Sequence, residues 1–188
     1  MPEPEIVIRR LGRPGDLGWV VMAHGDIYAE EFGWDTSFEA LVARIVADYG
    51  GALDSERVAA WIAELGERRV GCVFCVAADP TTAQLRILLV DPVARGRGLG
   101  GRLVDECIAF ARSAGYARMK LWTNHPLIAA REIYLSRGFE LVATEPHHSF
   151  GADLLGQVYE LDLGPGLPDP AAAISGFADT ATSTAGDC

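Results

Sequence analysis

Arg95 to Gly101 read RGRGLGG, four glycines and two arginines set between the apolar run LRILLVD and the amphipathic stretch RLVDECIAF. Glycine weakens regular structure, so a cluster at a strand-to-helix junction implies a group that must approach the backbone closely. An anion is the group held most readily there, because successive backbone N–H groups and a helix N-terminus carry positive partial charge. Gly96, Gly98 and Gly101 satisfy G-x-G-x-x-G. That dinucleotide pattern needs an acid about twenty residues further on to hold a ribose, and no Asp or Glu occurs between Cys107 and Arg131. A P-loop fails as well, since no Lys-Ser or Lys-Thr follows the glycines. A third pattern, R-x-x-G-x-G, is made by Arg95, Gly98 and Gly100, with Gly96, Arg97 and Leu99 between them. Arg95 and Arg97 can add charge-assisted hydrogen bonds to whatever the loop holds.

Groups able to take up a proton gather in two other places. YAEEFGWDTSF sets Glu30, Glu31 and Asp35 among Tyr28, Phe32, Trp34 and Phe38, and EPHHSFG carries His147 and His148. Neither set has partnered ligands at a metal-binding spacing, so no metal is expected. Cys72 and Cys75 form a C-x-x-C pair, but RVGCVFCVAA reads as a buried strand. Residues three apart on a strand face opposite ways, which makes these two thiols core packing.

The elements that must position these residues follow from periodicity. A strand over Ile6 to Leu11 precedes GRPGD, whose Asp16 is expected to cap a helix reaching about Phe32; a second helix should start at Ser37. VAAWIAEL, RVGCVFCVAA and QLRILLVD read as three strands joined by the turns GERR and DPTT. Leu99, Leu103, Cys107, Phe110 and Ala114 then mark one helical face, ended at Gly115. ARMKLWT is a strand and PLIAAREIYLSR a helix with Pro126 in its first turn and Gly138 at its end. FELVATE and QVYELDL close the sheet, with His147 and His148 on the hairpin between them.

With 188 residues and 49% hydrophobic content the chain suits one domain over residues 1–163, followed from 164 to 188 by a Gly-, Pro- and Ala-rich tail expected to be disordered. A net charge of −10 disfavours nucleic acid, which needs clustered positive charge. No apolar run is long enough for a membrane span, and MPEPEIVIRR lacks the basic-then-apolar order of a secretory signal, so a cytoplasmic protein is expected.

The motif of Arg95, Gly98 and Gly100 directly after LLVDP resembles the acyl-CoA-binding motif of the GNAT superfamily of N-acetyltransferases, and YLSRGFELV resembles that family's second signature, a tyrosine shortly before Gly-Phe. The resemblance spans about Ile6 to Leu163. It implies an α/β fold with a mixed, largely antiparallel twisted sheet flanked by helices, and transfer of an acetyl group from acetyl-CoA to an amine by direct attack. Under it, Arg95 to Gly100 hold the pyrophosphate, Leu89 and Val90 offer backbone to the pantetheine arm, and Asn124 either bonds that arm or caps the following helix. Tyr134 is implied as the general acid, suited by a phenol pKa near ~10. Glu31 is the first choice for a base, with Glu30, Asp35, His147, His148 and water as alternatives. The implied partner is a small-molecule or peptide amine, with homodimer formation left open. A protein of the same fold that binds acyl-CoA without turnover is the competing reading.

Overall fold

A computed structural model describes residues 5–52 and 55–165. The tail expected from residue 164 lies outside the described residues except for Gly164 and Pro165. The elements are β1 (Ile6–Arg10), α1 (Asp16–Phe32), α2 (Thr36–Gly50), β2 (Ala59–Leu65), β3 (Arg68–Ala77), β4 (Thr82–Val90), α3 (Leu99–Ser113), β5 (Arg118–Asn124), α4 (Ile128–Ser136), β6 (Glu140–Ser149) and β7 (Ala152–Asp162), with one turn of 3-10 helix at Pro92–Ala94. The expected order holds throughout, while several ends move. The β2–β3 turn narrows to Gly66 and Glu67, because Leu65 pairs with Arg68. Asp35 caps α2 through the Ser37 N–H at 2.9 Å. Pro126 precedes α4 instead of opening it, and the histidines fall within β6, facing Leu154 and Asp153 of β7.

The seven strands form one sheet in the order β1-β2-β3-β4-β5-β7-β6. Only β4 and β5 run parallel; every other neighbouring pair is antiparallel. Helices α1 and α2 cover one face, where Val20, Val42 and Tyr49 meet Ile62, Cys72 and Phe74. Helix α3 covers the other, where Leu99, Leu103 and Cys107 meet Val70, Val73 and Cys75. Cys72 and Cys75 thus sit on opposite faces, as strand alternation requires. Full burial of each large apolar side chain in these layers stabilises the fold by about 1.5–3 kcal/mol. β6 ends the sheet, exposed along most of its length, with an irregular register between Leu141 and Ala143 and with Pro146 inside it. Among the described residues no helix is long and apolar enough to cross a membrane.

Asp16 is the first residue of α1 and not its cap, a place taken by Gly15. Its buried carboxylate turns back on the preceding loop and accepts from the N–H groups of Gly12 (3.0 Å) and Arg13 (2.9 Å). It also accepts from Arg9 (2.8 and 2.9 Å) and from Arg69 Nε (2.8 Å). Arg9 in turn reaches Glu64 at 2.6 Å. Burial alone would raise the Asp16 carboxyl, but hydrogen bonds from Arg9, the two backbone groups and Arg69 outweigh it and hold it far below the usual carboxylate range. Asp16 therefore ties α1 to β1 and β3, and Arg9 carries the network on to Glu64 of β2. Asp16→Asn should cost about 3–5 kcal/mol, because part-buried Arg69 loses its carboxylate partner and Arg9 keeps only Glu64; urea denaturation reads this directly, and a change under 1 kcal/mol would show that the cluster is ornamental.

Candidate active site

The site begins where two strands part. β4 pairs with β5 only from Thr82 to Leu85, against Arg118 to Leu121. Beyond Leu85, β4 stays with β3 as far as Val90 opposite Gly71, while β5 stays with β7 as far as Asn124 opposite Gly156. The departure coincides with an irregular register on β3 between Cys72 and Phe74 and with Ile87 at φ 44. A β-branched residue in the left-handed region is a strained conformer that the surrounding packing must impose. Past the parting lies a cleft of about 530 Å³, with Leu88, Leu89 and Val90 of β4 on one wall, Leu127, Ala130 and Ile133 of the β5–α4 connection and α4 on the other, and the glycine-rich loop at one end.

Within the loop, Asp91 accepts from the Val93 N–H at 3.0 Å and so starts the 3-10 turn that leads to Arg95. Gly98 is the N-cap of α3 at φ 69, and Gly96 stands at φ 75. A Cβ at either would meet nothing within 4 Å, so these glycines supply backbone conformation beside open space. Gly100 differs, because a Cβ there would lie 2.6 Å from Ile133 Cδ1; its bareness lets α3 pack on α4. The loop is therefore a cradle of unobstructed N–H groups at a helix N-terminus, which fits a pyrophosphate. Leu99 is buried in the core and presents only its backbone. Arg97 is exposed. Arg95 donates from Nε to the Val90 carbonyl (3.3 Å) and pairs through Nη1 with Glu31 of α1 at 2.7 Å.

A second cavity of about 110 Å³ lies behind the cleft, bounded by His24, Tyr28, Trp34, Phe38, Arg86, Trp122, Asn124 and Tyr134. Tyr28, Leu88, Leu127 and Ala130 line both spaces. Tyr134 is 4% exposed and stacks edge-on to Phe139. Burial drives its phenol far above the ordinary tyrosine range, so it is protonated at neutral pH.

The sequence matches a family model described as Acetyltransferase (GNAT) family over residues 23–139. The chain belongs to the GNAT acetyltransferase family. Human N-acetyltransferase 8B is 36% identical over 85 residues, which cover 43% of this chain and 37% of that protein. An uncharacterized N-acetyltransferase of Schizosaccharomyces pombe is 31% identical over 128 residues, 64% of this chain and 74% of that one. The match thus spans little more than a third of the human relative. Among solved structures, yncA of Salmonella typhimurium, determined with its cofactor acetyl-CoA, has a TM-score of 0.69 at 19% identity, covering 88% of this chain and 99% of its own. An N-acetyltransferase of Staphylococcus aureus Mu50 has a TM-score of 0.71 at 19% identity, covering 85% and 99%. At that identity the likeness establishes the GNAT fold.

In this GNAT chain the expected site residues divide between the two spaces. Leu89, Val90, Arg95, Gly96, Gly98, Leu99 and Gly100 line the cleft, and Glu31 joins them there, engaged by Arg95. Tyr134 and Asn124 line the smaller cavity. Asn124 does not cap α4 with its side chain; its Oδ1 accepts from His147 Nε2 at 2.9 Å, and His147 Nδ1 meets Ser149 Oγ at 2.9 Å. Asp35 is occupied as the α2 cap, Glu30 is exposed, and His148 pairs at the surface with Asp153.

Two members of the cavity escaped sequence reasoning. Arg86 interrupts the apolar run LRILLV, and His24 lies four residues before Tyr28 on the same helical face; each was a legible signal. The His24 Nδ1–H donates to the Val20 carbonyl at 2.7 Å, while its buried Nε2 has no partner. Burial pulls its pKa from 6.5 to about 4. Protonation therefore favours the unfolded chain, and stability present in full above pH 6.5 should fall by about 3 kcal/mol as the pH drops to 4. Urea denaturation across that window should show the fall in the native chain and a flatter profile in His24→Leu; parallel profiles would refute it.

Proposed function

We propose that this GNAT chain transfers the acetyl group of acetyl-CoA to an acceptor amine, both substrates being bound together. The observation that carries the reading is the run of β4 from Leu88 to Val90, parted from β5 and leading directly into a glycine cradle at a helix N-terminus. Acetyl-CoA, when bound, supplies a thioester carbonyl carbon for the amine to attack. The N–H groups of Gly96 to Gly100 hold its pyrophosphate, with Arg95 and Arg97 adding charge. On the side of β4 that has parted from β5, the backbone of Leu89 and Val90 pairs with the pantetheine arm, the Val90 carbonyl being shared with Arg95 Nε, and an N–H group there stabilises charge on the carbonyl oxygen. Asn124, at the end of β5, borders the far end of that arm.

Tyr134 Oη, protonated at neutral pH and lining the smaller cavity, gives its proton to the departing thiolate, and the bound substrates must offset the burial that weakens it as an acid. Glu31 was the sequence-based choice for the base, but its pairing with Arg95 gives it a different role, as the carboxylate that Arg95 exchanges for phosphate. The amine's proton passes to water in the cleft. Orientation of the two substrates supplies much of the acceleration.

Calorimetric titration with acetyl-CoA and detection of released CoA thiol test the reading together. Binding with thiol release only when an amine is present supports it; binding without release across a broad amine panel makes the chain a sensor; no binding overturns both. Tyr134→Phe should leave cofactor affinity intact and lower kcat on the order of 10²–10⁴-fold. Wild-type turnover in that variant would make Tyr134 a packing residue. Glu31→Gln should tighten acetyl-CoA binding by up to about fivefold, the worth of a partly exposed ion pair of ~1 kcal/mol; weaker binding would show that Glu31 positions Arg95 for the cofactor.

A further inference from the structure

Arg86 is half-buried on β4 and faces the smaller cavity. Among the described residues it forms no ion pair and no side-chain hydrogen bond, although the other arginines in comparable settings do, Arg9 and Arg69 with Asp16 among them. Loss of solvent lowers its guanidinium pKa, and the acid whose charge opposes this is Asp48 of α2, which lies outside ion-pair distance. A desolvated cation without a counter-ion is costly to keep. It is retained next to Ile87, the strained residue where β4 leaves β5.

The same cavity holds a second unmatched group. His24 Nε2 is a buried acceptor with no donor. With its pKa held near 4 it is a hydrogen-bond acceptor and a poor base. Around these two stand aromatic rings, Tyr28, Trp34, Phe38 and Trp122. An uncompensated cation and an uncompensated acceptor in one space are complementary to a molecule carrying a carboxylate and an amine N–H. The volume of about 110 Å³ holds only about four waters at ~30 Å³ each, which limits that molecule to a compact one.

We infer that the acceptor is a free amino acid whose carboxylate pairs with Arg86 in the cavity behind the cleft, leaving the amine at the junction with the cleft. This rests on the acetyltransferase reading above. The guanidinium fork binds a carboxylate in two parallel hydrogen bonds, which fixes orientation as well as charge. The amine then lies beside Tyr28 and Leu88, which border both spaces, and His24 Nε2 accepts one of its hydrogens after a small shift of the flanking rings.

The test pairs each of a set of L-amino acids with the amine left by removing its carboxylate, using acetyl-CoA and detection of released thiol. The native chain should prefer at least one amino acid over its matched amine by more than tenfold in kcat/KM. Arg86→Gln should abolish that preference mainly through KM, with acetyl-CoA affinity unchanged by calorimetry, and Arg86→Lys should restore part of it. Equal or better use of the amines, or a preference that survives Arg86→Gln, overturns the inference while leaving acetyl transfer intact. Binding of acetyl-CoA with no release for any amino acid overturns the inference as well. Failure to bind acetyl-CoA at all removes the acetyltransferase reading beneath it.

Discussion

The site depends on hydrogen bonds that are not made between β4 and β5. Four residue pairs hold the strands together, and then β4 follows β3 while β5 follows β7. A sheet normally fills such a gap, because unpaired backbone away from water costs free energy. Here the gap holds the smaller cavity and opens onto the cleft, and what enters must bring donors and acceptors of its own. The glycine loop, the start of α3 and the junction with the smaller cavity all take their positions from this parting, and Ile87 carries the strain that fixes it.

Two kinds of buried charge coexist in the molecule, and the difference between them separates structure from function. Asp16 is matched on every side by Arg9, Arg69 and two backbone N–H groups. Such a group joins elements and has nothing left to offer a ligand. Arg86 and His24 have been withdrawn from water without an equivalent return. A natural core tolerates few groups of this kind, and two beside one cavity are informative.

The order of elements and the glycine loop were legible because they rest on local rules. Apolar alternation marks β3, a four-residue step marks α3, and R-x-x-G-x-G marks the turn between strand and helix. The roles of the acids and histidines were not, because each is decided by a partner distant in sequence. Glu31 looked free until Arg95, 64 positions on, closed upon it. Asn124 suited a helix cap by residue type, yet His147 claims its oxygen from the neighbouring side of the sheet. Asp16 was read as a cap because it precedes a helix, and its true partners come from β1 and β3. Periodicity reports which face a residue occupies and is silent on who stands opposite.

The last strand of the sheet has a consequence for assembly. An exposed edge offers unpaired N–H and C=O groups to a strand of another molecule, the usual route to aggregation by sheet extension. β6 carries an irregular register at Leu141–Ala143, a proline at position 146, and carboxylates at Glu140 and Glu145. The irregularity twists the edge, the proline lacks a donor, and the acids repel an identical strand. Growth of the sheet from copy to copy is thereby discouraged at this edge.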